Sequence, residues 1–157
     1  ARVVDGELQV RGSSVMQGYY QMPEETAETL QNGWLLTGDL GYVDEDGFLF
    51  LTGRKKNLII TKNGENVSPE ELENKLLEQP LIREILVREA EGVIEAEVFP
   101  EEEEMKAQGL AENSITEALQ KLIDGYNEQA PAYKRIYRLK VRNTEFPKTP
   151  SKKIKRY

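Results

Sequence analysis

Cysteine and histidine are both absent from the 157 residues, and tryptophan occurs once. Without thiols or imidazoles the chain has no disulfide, no thiolate nucleophile, no Ser-His-Asp triad and no ordinary zinc site. Ionic chemistry therefore falls to Lys, Arg, Asp, Glu and Tyr, and no metal ligand set is assigned. Long apolar runs are missing too: nothing approaches the roughly 20 residues of a membrane span, and nothing reads as a signal peptide. The expectation is a cytoplasmic protein without an integral membrane segment, with peripheral membrane contact left open. Excess positive charge is also lacking. The net charge of −7 disfavours a nucleic-acid binder, and no aromatic stacking motif accompanies the basic residues.

What is present is unevenly spread. From Lys134 onward there are ten Lys/Arg and one acid, Glu145, whereas the stretch from Glu84 to Glu104 is strongly acidic. The 38% of hydrophobic residues suits one small domain with an attached piece. The sequence starts at Ala1, and Glu7 to Gly12 reads as a strand already under way, so a longer protein with its remaining part upstream is expected.

Residues 1–52 read as a β-rich piece. A short helix opens at Pro23, turns fall at Asn32-Gly33 and Asp46-Gly47, and a hairpin around Asp44 to Gly47 sets Asp39 on the turn before its first strand. A second domain is expected over 53–157. There Ser68-Pro69-Glu70-Glu71 is a capping box opening a helix with Leu72 and Leu76 on one face. Two strands around Glu91-Gly92 follow, the second alternating Ile94, Ala96 and Val98 with Glu95 and Glu97, which predicts one wet face. A second capping box at Ser114 begins the longest helix, Tyr137 to Val141 forms a last strand, and a lysine-rich tail lacks apolar periodicity. The fold class is α+β, a short sheet flanked by helices, preceded by the β-rich end of something larger.

Three motifs suit one chemistry, activation of a carboxylate by ATP. A carboxylate in the tight Thr37-Gly38-Asp39 turn suits a pair of ribose hydroxyls, and the Arg54 guanidinium suits an anionic nucleotide. A lysine of the Pro147-Lys148-Thr149-Pro150-Ser151-Lys152-Lys153 tail suits a reacting phosphoryl oxygen. Each has a plainer reading alone: an ordinary β-turn, a surface ion pair, a solvated basic tail.

Together, Gly6 to Gly12, Trp34-Leu35-Leu36-Thr37-Gly38-Asp39, Gly53-Arg54-Lys55-Lys56, Gly64 to Glu73 and the lysine tail resemble the adenylate-forming (AMP-binding) superfamily of acyl-CoA synthetases, nonribosomal adenylation domains and luciferases. Within it, Ile59-Ile60-Thr61-Lys62-Asn63-Gly64-Glu65-Asn66-Val67 is most similar to the long-chain fatty acyl-CoA synthetase branch. The resemblance implies two half-reactions: a fatty acid with ATP and Mg²⁺ gives acyl-adenylate and pyrophosphate, then CoA displaces AMP. It implies Asp39 on the ribose, Arg54 on the ribose or phosphates, Lys56 at the hinge of a mobile small domain, and Lys153 on the adenylation transition state. Gly64 and Glu65 would lie near the pantetheine arm of CoA. Lys55 competes with Lys56 for the hinge position, and Lys152 stands where the family's tail has glycine. The missing N-terminal domain would carry the phosphate loop, the magnesium ligand and the acyl pocket, so the fragment alone is expected to be inactive. Two alternatives remain: an enzyme loading a carrier-protein pantetheine, and a noncatalytic binding module of the same fold.

Overall fold

The structure, a computed structural model, describes residues 1–111 and 114–156. Two compact units divide the chain, Ala1–Leu58 and a second beginning at Ile59.

The first unit holds β1 (Arg2–Val4), β2 (Glu7–Val10), α1 (Pro23–Thr29), β3 (Leu30–Gln31), β4 (Trp34–Val43) and β5 (Leu49–Arg54). The strands pair antiparallel in the order β1-β2-β4-β3, with β5 also paired to β4. The predicted turns are where the sequence puts them. Asn32 and Gly33 both take positive φ, as a two-residue hairpin loop requires, and the Asp44 carboxylate accepts the Phe48 N–H at 2.7 Å. The β4–β5 register shifts between Leu40 and Gly41, bringing the Phe50 carbonyl against Gly41 where a Cβ would overlap it. Apolar side chains of this hairpin face outward: Tyr42, Val43, Phe48, Leu49, Phe50 and Leu51 are 40% to 66% exposed.

The second unit contains the hairpin β6 (Ile59–Ile60) and β7 (Asn66–Val67), then α2 (Pro69–Leu76), β8 (Ile82–Ala90), β9 (Val93–Pro100), α3 (Glu102–Ala107), α4 (Ile115–Gln129) and β10 (Arg138–Val141). β9 is central, antiparallel to β8 and parallel to β10. Period-two alternation sends Ile85, Val87, Ile94, Ala96 and Val98 into one core with Leu72 and Leu76 of α2 and Leu119 and Ile123 of α4. A second cluster of Leu86, Phe99 and Phe146 is joined by Ile154. These elements form the α+β domain expected from the sequence. Neither capping box closes onto the helix backbone: Ser68 Oγ donates to Glu70 instead, and Ser114 Oγ to the Ala111 carbonyl.

The face of β9 predicted to be wet is covered. Glu95 has no exposed surface, because Arg88 (3.0 Å), Lys140 (3.1 Å) and Arg138 (3.5 Å) fold over it from both neighbouring strands. Burial pushes its carboxyl up, but hydrogen bonds from Lys140 and Arg88 and their charges outweigh that and hold it below its ordinary 4.5. A depressed carboxyl contributes stability above its unfolded value, and that contribution disappears as pH falls through the folded one. Glu95→Gln should therefore destabilise the chain at neutral pH and converge with wild type in acid. Urea unfolding followed by circular dichroism across that range checks it; a constant difference at every pH would contradict it.

Candidate functional site

In the first unit the nucleotide candidates meet. Asp39 lies inside β4, not on the turn before a strand as the sequence predicted, because β4 continues through an irregularity in its pairing with β2 at Gly38, φ +71°. β4–β5 pairing sets Asp39 directly opposite Arg54, and Arg54 Nη1 donates to Asp39 Oδ1 at 2.5 Å. Thr37 Oγ1 donates to the Leu8 carbonyl at 2.8 Å and accepts the Asp39 N–H at 3.1 Å, fixing the peptide that carries the carboxylate.

Glu7 carries no signature in the sequence motifs, yet it organises this cluster. It is 7% exposed, its Oε1 accepts the Gly38 N–H at 3.1 Å, and its Oε2 accepts Lys55 Nζ at 2.9 Å. A charged residue on a strand with one covered face was the available signal, but its partners stand 31 and 48 residues away. Glu7 also separates the two lysines that the sequence left competing. Lys55 is tied down, while Lys56, next in the short 3₁₀ turn Lys55–Asn57, is exposed.

In the second unit the Gly64 loop is the tip of the β6–β7 hairpin. Thr61 closes it three ways: its N–H donates to the Glu65 carbonyl at 2.9 Å, its carbonyl accepts the Gly64 N–H at 2.9 Å, and its Oγ1 accepts the Glu65 N–H at 3.1 Å. Gly64 has φ +81° and open space where a Cβ would stand, so backbone conformation and not crowding favours glycine. Gly64 and Glu65 are exposed. A groove of about 340 Å³ adjoins the loop, with Lys62, Glu89, Tyr133, Arg135 and Tyr137 in its wall.

The lysine tail is a small hairpin. Lys148 bridges Ile154, the Thr149 N–H donates to the Lys153 carbonyl at 2.8 Å, and the Lys155 N–H donates to the Pro147 carbonyl at 2.9 Å. Lys153 itself is exposed, with its N–H held by Thr149 Oγ1 at 3.2 Å. Lys152 occupies left-handed backbone at φ +61°, the third loop position where such hairpins favour glycine. Left-handed backbone costs a non-glycine residue about 1–2 kcal/mol, and glycine's extra freedom in the unfolded chain returns about 0.4–1 kcal/mol. Lys152→Gly should thus raise stability by about 0 to 1.6 kcal/mol, read from urea unfolding; a clear loss would contradict this account of the turn.

Both legs of the tail are anchored. Buried Glu84 accepts the Phe146 N–H at 2.8 Å and pairs with Lys148. Further along, Arg156 Nη1 and Nη2 donate to the two oxygens of Glu73 at 3.0 and 2.6 Å. Burial raises the Glu73 carboxyl above its usual range against the hydrogen bonds from Arg156 and the Val87 N–H.

Residues 56–157 match the family model described as the AMP-binding enzyme C-terminal domain. The chain belongs to that family. Among curated relatives, the long-chain-fatty-acid–CoA ligase FadD15 of Mycobacterium tuberculosis is 53% identical over 83 residues, 53% of this chain and 14% of that protein. A 2-succinylbenzoate–CoA ligase of Bacillus cereus is 49% identical over 82 residues, 52% of this chain and 17% of the relative. The chain thus spans less than a fifth of the length of these curated relatives. Among solved structures, the Bacillus subtilis o-succinylbenzoate CoA synthetase MenE with its acyl-adenylate OSB-AMP superimposes with a TM-score of 0.76 at 33% identity, over 94% of this chain and 28% of that one. The anthranilate CoA ligase AuaEII with anthranoyl-AMP gives 0.78 at 27% identity, over the same shares. Among the described residues here, no helix is long and apolar enough to cross a membrane, and no group of three or more potential ligands is placed to hold a metal ion.

Proposed function

We propose that the chain works as the C-terminal part of an ATP-dependent acid–thiol ligase that converts a long-chain fatty acid to its CoA thioester. In the first step a carboxylate oxygen attacks the α-phosphorus of ATP and pyrophosphate leaves; in the second the CoA sulfur attacks the acyl carbon and AMP leaves. The observation that carries this reading is Lys153, an exposed ammonium on a turn whose backbone is pinned to Thr149. Attack of one anion on another accumulates negative charge, and a positioned cation stabilises it. Asp39 is assigned to the ribose hydroxyls and Arg54, which orients that carboxylate, to the nucleotide. Lys56, following the anchored Lys55, is assigned to the hinge between a large-domain piece at 1–52 and a small domain at 53–157. Gly64 and Glu65 are assigned to the thiol arm, and the cations and aromatic rings of the adjoining groove suit a phosphorylated nucleotide carrier. No residue of this chain is assigned to the magnesium ion. The exposed apolar strip of the β4–β5 hairpin is assigned to packing against upstream parts of the protein, as the share of the related structures that this chain covers supports.

The long-chain assignment rests on the Ile59 to Val67 sequence and the identity to a long-chain ligase. The 49% identity to a 2-succinylbenzoate ligase favours an aryl acid as the second reading. Thioester formation by the intact protein, with long-chain fatty acids and 2-succinylbenzoate as donors and CoA and an acyl carrier protein as acceptors, decides. Long-chain acyl-CoA is the expected product. Preference for the aryl acid or for the carrier protein would replace the substrate assignment, and no adenylate from any acid would leave the noncatalytic module.

A further inference from the structure

β8 is an edge strand of its sheet, so the peptide groups that face away from β9 lack a strand partner. At Val87 two side chains take that place. Glu73 Oε1 accepts the Val87 N–H at 2.7 Å, and Arg156 Nη1 approaches the Val87 carbonyl at 3.4 Å. The same guanidinium forks onto Glu73, and its Nη2 lies 3.3 Å from Glu70. A carboxylate and a guanidinium thus reproduce the acceptor and donor of a neighbouring strand, and Arg156 stands three residues beyond Lys153. Between them only Ile154 packs into the apolar cluster with Leu86 and Phe99.

From this juxtaposition we infer that Arg156 is a positioning residue for the reaction, its fork with Glu73 fixing the second leg of the hairpin that presents Lys153. The inference rests on the role proposed for Lys153. The first leg stays held by Glu84 and the hairpin keeps its own backbone bonds whatever happens at Arg156, so losing the fork leaves only Ile154 to seat the second leg and lets the lysine-bearing turn shift without releasing the whole tail. The Gly64 loop is braced by its own Thr61 bonds and does not depend on the tail. Displacement of a reacting group by about 1 Å costs up to about 10²-fold in rate, so the effect falls on one half-reaction only.

The test uses the intact protein as wild type, Arg156→Gln and Arg156→Lys. Three readings are taken: acid-dependent pyrophosphate release, thioester formation from presynthesised acyl-adenylate, and the rate of tryptic cleavage after Lys152 and Lys153. Arg156→Gln should slow pyrophosphate release by up to about 10²-fold, leave thioester formation unchanged and speed cleavage of the tail. Arg156→Lys keeps the charge but loses the planar fork and should fall between. Equal loss in both half-reactions, or unaltered pyrophosphate release with faster cleavage, would make the fork purely structural and overturn the inference. Absence of pyrophosphate release in wild type would instead overturn the ligase reading, and unaltered cleavage in Arg156→Gln would still refute the clamp.

Discussion

Lys153→Ala in the intact protein should cut acid-dependent pyrophosphate release by about 10²–10³-fold, the loss that follows removal of one preorganised donor from a transition state. KM for ATP should change far less, because the proposed ammonium acts on charge that develops during attack and not on the bound nucleotide. The structure adds a reason to expect a clean result. Lys153 is exposed and its backbone bonds run through the N–H and carbonyl, so truncating the side chain leaves the hairpin intact. Lys152→Ala serves as the control. If it lost as much as Lys153→Ala, the loss would not be specific to Lys153 and its assignment to the adenylation step would be wrong.

Gly41→Ala should be the most damaging single methyl in the first unit. The added Cβ falls against the Phe50 carbonyl, a backbone atom that moves only if the β4–β5 pairing moves with it. Overpacking typically costs 1–3 kcal/mol, and a rigid backbone neighbour argues for the upper end, about 3 kcal/mol. Trp34, the single tryptophan, lies on β4 of this unit beneath Arg2 at 4.1 Å, so its fluorescence during urea unfolding reports on this unit. A midpoint unchanged from wild type would mean that the bulge relaxes freely. The consequence reaches the site, because the same pairing sets Asp39 opposite Arg54.

The sequence made local features legible and long-range ones not. α2 and α4 were visible in the spacing of Leu72, Leu76, Leu119 and Ile123, and the Asn32-Gly33 and Glu91-Gly92 turns in their residue types, since each depends on near neighbours. The motif residues Asp39 and Arg54 were found, but their mutual ion pair needed the β4–β5 register. Glu95 was misjudged because alternation reports which face a side chain takes, not whether neighbouring strands carry Arg88, Arg138 and Lys140 to cover it. The tail looked like free chain because its stabilising contacts, Phe146 to Glu84 and Arg156 to Glu73, join positions 62 and 83 residues apart. Lys152 in place of glycine proved to be a matter of backbone: it takes the left-handed conformation itself.

The central claim is that one small domain carries two devices for two different steps: the lysine hairpin for adenylation and the Gly64 loop for thiol transfer. Phe146 and Ile154 of the tail pack with Leu86 of β8, whereas Lys62 of the loop lies against Gly92 beyond the other end of that strand, so the two devices hold separate stations on one scaffold. The most direct test measures both half-reactions of the intact protein for Lys153→Ala and Gly64→Leu side by side. The account predicts a double dissociation, with Lys153→Ala losing pyrophosphate release but still forming thioester from supplied acyl-adenylate, and Gly64→Leu doing the reverse. Loss of the same half-reaction in both variants would contradict it.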